Sequence, residues 1–151
     1  MEKTVRSIAL VRHPDADPPR WLVRRDAESG ALGLLVSDRL EGDSYRECLV
    51  REVAWTLGLA RDRDFIVSSV PRVHLELRKA EQPELEEDWL FAEFFAVELF
   101  GGRALEVVDA DPANVWLTAE ELRAGETASA RLNDRDRLLL ARGDVLPAWE
   151  A

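Results

Sequence analysis

The stretch that decides the fold runs from Ser37 to Leu59, Ser37-Asp-Arg-Leu-Glu-Gly-Asp-Ser-Tyr-Arg-Glu-Cys-Leu-Val-Arg-Glu-Val-Ala-Trp-Thr-Leu-Gly-Leu59. Gly42-Asp43 breaks the chain. Ser44-Tyr45-Arg46-Glu47 then has the form of a capping box, with Ser44 as N-cap and Glu47 reaching back to it. Cys48, Leu49, Val53 and Leu57 recur at helical spacing, with Val50 or Ala54 widening the apolar face. Gly58 supplies a left-handed stop, so the spacing predicts a helix over about Tyr45 to Leu57.

Upstream, Thr4 to Arg12 is a strand ending at His13-Pro14-Asp15, and a Pro-rich loop follows to Arg20. Trp21 to Arg25 is a second strand, Asp26 to Gly30 its turn, and Leu32 to Val36 a short third strand. Downstream, Phe65 to Lys79 alternates as one or two strands. Glu81 to Asp88 is an acidic loop, and Trp89 to Phe100 is a central aromatic-rich strand. Leu105 to Val108 is expected as one more strand, and Val115 to Leu117 as another. Thr118-Ala119-Glu120-Glu121 forms a second capping box opening a brief helix to Ala124. A last helix is expected over about Asp134 to Arg142, stopped by Gly143. There is no repeat and no interdomain linker. The order of elements is that of a mixed α/β chain, with residues 1–151 as a single domain.

Composition narrows the function. The 151 residues carry 20 Lys and Arg against 30 Asp and Glu, a formal charge of −10. Such a surface repels phosphate backbones and anionic lipid, so neither nucleic acid nor membrane is expected as a partner. Apolar residues at 46% are ample for a core, and 8 Gly with 7 Pro exclude fibrous and low-complexity classes. The single cysteine, Cys48, forms no internal disulfide and no cysteine zinc site. Ile8 to Val11 is too short for a signal-peptide core, and no apolar run approaches the roughly 20 residues that span a bilayer. The expectation is a soluble cytoplasmic protein.

The Ser37–Leu59 segment resembles the Nudix box of the Nudix hydrolases: a glycine, five residues, a glutamate, seven residues, then Arg-Glu-aliphatic-x-Glu-Glu-x-Gly-aliphatic. Arg51-Glu52-Val53 matches the Arg-Glu-aliphatic portion, and Gly58-Leu59 matches the close. Asp43 stands in the place of the first glutamate. Trp21 to Arg25 is similar to the strand that precedes the box, and Val115 to Leu122 to the family's late Trp-strand and short helix. The resemblance covers about Thr4 to Gly143. It implies a Nudix-type α/β/α sandwich, a mixed sheet between helices. It also implies Mg²⁺- or Mn²⁺-dependent hydrolysis of a nucleoside diphosphate linked to another group, and it makes a homodimer a further expectation.

The departures fall where that chemistry is concentrated. The family's helix presents three glutamates at i, i+3 and i+4 on one face, clustering charge on the metals. Here those places hold Glu52, Trp55 and Thr56. Ser37 replaces the opening glycine after Val36, and Leu40 stands where another glutamate is common. Several divalent ions beside a pyrophosphate need multiple hard oxygen ligands, and an indole and a hydroxyl are poor replacements.

Glu52 is thus the candidate catalytic residue, and Glu52 with Asp43 the candidate metal pair. Arg25, Arg51 and Trp55 are the candidate substrate-binding residues. Each has a plainer alternative. Arg25 contacts a nucleotide or is a solvated strand end, and Trp55 stacks on a base or ribose or covers the edge of the core. Cys48 is expected to be a small core residue and His74 a structural one. Three functions follow. One is a Nudix-fold protein with lost or weakened hydrolysis that binds a nucleotide-type small molecule or acts as a regulatory module. Another is an active hydrolase recruiting metal through Glu52 with Asp43, Glu41 and loop carboxylates such as Asp109 or Asp111; the acidic run Glu84 to Asp88 is read as a solvated turn or a further ligand source. The last is an acidic interaction module without a ligand.

Overall fold

The computed structural model describes residues 3–39, 42–142 and 145–146. The expectations placed on Leu40, Glu41 and Gly143 lie outside the described residues.

Strand β1 (Lys3–Arg12) runs parallel to β7 (Trp89–Leu99) in continuous register from Lys3↔Trp89 to Arg12↔Glu98. All other pairings between named strands are antiparallel. β2 (Arg20–Arg25) and β4 (Leu35–Asp38) lie along opposite ends of β1. β5 (Phe65–Val67) and β6 (Val73–Arg78) lie along opposite ends of β7. β3 (Leu32–Gly33) and β8 (Asn114–Thr118) both pair with β2, completing an eight-stranded mixed sheet among the described residues.

Side-chain alternation divides the core in two. Ile8 and Leu10 of β1 and Leu90, Ala92 and Phe94 of β7 face one way, against Leu122 and Leu139. Those two leucines belong to helices α3 (Ala119–Ala124) and α4 (Asp134–Arg142). Ala9, Val11, Phe95 and Val97 face the other way. There they meet α1 (Tyr45–Leu57), with Leu49 and Val53, and α2 (Gly101–Ala110), with Ala104 and Val108. The result is the expected sheet between two helical layers. Each fully buried Leu, Val or Phe contributes about 1.5–3 kcal/mol of burial, so both layers are held chiefly by apolar contact. No described helix is long and apolar enough to cross a membrane.

Local signals explain most element boundaries. Ser44 Oγ accepts the Glu47 N–H at 3.0 Å, and Gly58 closes α1 at φ 69°. Glu47 does not reach back to Ser44, as a full capping box requires. Its carboxylate instead takes the Arg61 guanidinium at 2.7 Å, which holds that carboxyl below its ordinary pKa. The box at Thr118 is complete, with Glu121 answering the Thr118 N–H.

Two expectations change. Leu105 to Val108 is not a strand but the middle of α2. Ala104 and Val108 are buried at i, i+4 spacing beside exposed Glu106, a helical pattern that the Val-Val pair masks in the sequence. The single strand expected over Leu32 to Val36 is broken at Leu34. The Leu34 N–H, which would have joined a ladder, goes to the Asp136 carboxylate of α4 at 2.8 Å.

Candidate functional site

The cleft opens where the chain leaves β2 for β3 and β4. Arg24, Arg25 and Asp26 form one wall, Gly33 to Val36 the floor, and Glu52 and Thr56 of α1 the other wall; Asn133, just before α4, closes the end. Its volume is about 300 Å³. A second concavity of about 340 Å³ lies across Glu52, bounded by Ser37, Asp38, Cys48, Arg51 and Trp55. Glu52 borders both.

The floor is set by close packing with the C-terminal segment. Leu32 exchanges backbone hydrogen bonds with Arg131 and Asn133, at 2.8 Å each. A Cβ on Gly33 would meet Asn133 Nδ2 at 2.7 Å, so a larger residue there would displace the Asn133 amide. Beneath it, Asp136 is 1% exposed. Its Oδ2 accepts from Leu34 N–H at 2.8 Å and from Asn133 Nδ2 at 3.1 Å, while its Oδ1 has no hydrogen-bond partner. Burial pushes its pKa up against the opposing pull of the Leu34 N–H, Arg135, Asn133 and Arg6.

The structure brings the sequence candidates together on α1 but ties several to one another. Arg51 donates to Asp43, so the expected phosphate ligand and the expected metal ligand neutralise each other; this contact raises the Arg51 pKa. Thr56 donates to Glu52, engaging the remaining box glutamate. Trp55 covers no core edge, because 87% of it is exposed. Cys48 is a buried core residue as expected, although it also borders the second concavity. Arg25 is exposed at the cleft wall, with the Gly30 carbonyl 3.5 Å from its guanidinium.

Sequence reasoning singled out Arg25 and passed over Arg24, which lines the same cleft. Arg24 is fixed by Asn114 at 2.6 Å and Asp111 at 3.0 Å, so it is a cation held in place. The missed signal was positional, since β2 pairs antiparallel with β8 and sets Arg24 opposite Asn114. Asp111 is thereby committed: the Ala113 N–H, then Arg24, hold its pKa down. Asp109 accepts from Trp116 Nε1 at 2.8 Å. His74 lies on β6, its ring nitrogens 2.8 Å from Glu93 and 3.1 Å from Glu76.

The set around α1 does not fit the metal cluster that the Nudix resemblance implies. One helix carboxylate faces the cleft, and it is engaged by a hydroxyl. Asp43 is engaged by a guanidinium, and an indole fills a ligand position. Among the described residues no group of three or more His, Cys, Asp or Glu side chains converges as metal ligands would.

No family model matches this chain, and no curated protein does. Solved structures do. The chain is similar to the Ap4A hydrolase of C. elegans, at 9% identity and a TM-score of 0.59, over 78% of this chain and 82% of that one. A mutT/nudix family protein from Listeria innocua aligns at 14% identity and 0.59, over 92% and 88%. A Nudix hydrolase from Nitrosomonas europaea aligns at 16% and 0.54, over 99% of both chains. At these identities the likeness establishes a shared Nudix-type fold and nothing finer.

Proposed function

We propose that this chain is a Nudix-fold protein that binds a nucleotide-type, phosphate-bearing small molecule in the α1–β2 cleft, with diphosphate hydrolysis lost or strongly weakened. The carrying observation is the cleft-facing side of α1. It holds Glu52 with Thr56 bonded to it, and Trp55 in solvent, where metal chemistry requires a carboxylate cluster. Attack on a diphosphate builds negative charge on bridging and leaving oxygens, and a single engaged carboxylate recruits too few metal ions to offset it. Binding needs less. Arg25, exposed at the cleft wall, supplies a guanidinium suited to a phosphate, while Arg24 in the same lining is paired with Asp111.

The active-hydrolase alternative recruits metal through Glu52 with Asp43, Glu41 and loop carboxylates such as Asp109 or Asp111. Their bonds to Trp116 and to Arg24 and Ala113 count against that role. The test is a calorimetric titration with pyrophosphate, ADP and ADP-ribose, with and without Mn²⁺, alongside a phosphate-release assay. Binding that weakens in Arg25→Ala, without turnover, is the expected result. Robust turnover lost in Glu52→Gln would overturn the loss of hydrolysis. Absence of binding by any of the three would favour the interaction module.

A further inference from the structure

We infer that Trp55 is a stacking platform for the heterocyclic base of the ligand, so that the molecule lies across Glu52 with its base over α1 and its phosphates toward Arg24 and Arg25. This inference rests on the proposed nucleotide-type ligand and adds its orientation.

The two concavities meet at Glu52 but differ in chemistry. The one beside Trp55 is lined by Asp38, Glu52 and Arg51, with Asp38 paired to Arg6 and Arg51 paired to Asp43. A phosphate placed there would meet the Glu52 carboxylate, with Arg51 already paired. A neutral planar ring with N–H donors on its edge meets acceptors instead, and an indole to lie against. The other concavity carries Arg25 and the Asp111-paired Arg24 beside Asp26 and Glu52, so Arg25, which donates to the Gly30 carbonyl at 3.5 Å, distinguishes it. Phosphates belong there.

The indole itself is the second observation. Trp55 sits on the solvent side of a helix whose inner face is filled by Leu49, Val53 and Leu57, so packing does not require an aromatic at this position. At 87% exposure it leaves a large flat apolar surface in water, next to a cavity, on an element fixed at both ends by Ser44 and Gly58. An exposed ring beside a concavity has the properties of a base-stacking residue, which tolerates any base because every base has a π-face. At about 300 and 340 Å³, each concavity is at the small end for a ligand site, and the two joined across Glu52 are better matched to a nucleotide than either alone.

The experiment compares ADP with pyrophosphate, by calorimetry, on the wild-type chain and on Trp55→Ala, Trp55→Leu and Trp55→Phe. Because Trp55 is exposed, these changes leave the core intact. ADP affinity is expected to fall about 5- to 150-fold in the Ala and Leu variants, the loss of one stacked base (about 1–3 kcal/mol) converted at 1.4 kcal/mol per decade. Phe should recover much of it, and pyrophosphate affinity should not change. Equal ADP binding by wild type and Trp55→Ala, or an equal loss of pyrophosphate binding, overturns the orientation and leaves the proposed function standing. A wild-type chain that binds neither ADP nor pyrophosphate overturns both.

Discussion

Replacing Asp136 by asparagine or by leucine should remove a loss of stability that the wild-type chain undergoes between pH 4 and pH 8. Asp136 is 1% exposed, and burial raises its pKa above the ordinary 3.8 despite the pull of Arg135 and Arg6. The folded chain therefore holds this proton at pH values where the unfolded chain has released it. Stability falls as pH rises from about 3.8 through the raised folded value and stays lowered above it, by about 1.4 kcal/mol for each pH unit of that interval. Asparagine keeps an acceptor for Leu34 N–H and Asn133 Nδ2, carries no charge and removes this dependence, while its amide N–H groups take the place of the unpartnered Oδ1 at a pH-independent cost. Leucine removes the acceptor. It strands the Leu34 N–H at a cost of about 1–3 kcal/mol, or about 2–12 °C in Tm for a chain of this size. The assay is thermal unfolding by circular dichroism between pH 4 and 8. The wild-type Tm should fall between pH 4 and pH 8 relative to both uncharged variants, and the Leu variant should melt below wild type at pH 4. A wild-type Tm that rises relative to the Asn variant between pH 4 and pH 8 would refute the reasoning, since Asp136 would then be an ionised partner of Arg135 or Arg6.

Ser44→Ala removes the acceptor of the Glu47 N–H and should cost about 1 kcal/mol in urea unfolding, with unchanged m-value. Trp55→Glu combined with Thr56→Glu rebuilds three carboxylates on one face of α1, and should raise Mn²⁺ affinity at least tenfold over wild type by calorimetry. Any hydrolysis of ADP-ribose gained by that double variant should vanish when Glu52→Gln is added.

The elements whose causes are local were legible in the sequence. Ser44, the apolar spacing of Cys48, Leu49, Val53 and Leu57, and Gly58 bound α1 without reference to the rest of the chain, because a cap and a left-handed stop act within one turn. The same holds for Thr118 to Glu121 and for the long alternation of β7. The replacement of two box glutamates by Trp55 and Thr56 is also a fact of sequence, and it sets the chemical question. Leu105 to Val108 was misread because β-branched residues suggest a strand, while the burial of Ala104 and Val108 against the sheet makes the segment a helix. What the candidate side chains do was decided by tertiary structure alone. Arg51 and Asp43 cancel each other, Arg24 is fixed by Asn114 across the β2–β8 ladder, and Trp55 is left in solvent. The cleft floor depends on a bond between Leu34 and Asp136, 102 residues apart. No spacing rule encodes such a contact. A hydrogen bond or ion pair between distant residues exists only once the core has packed and brought their elements within reach, whereas helix caps and periodicity act on neighbours already joined by the chain.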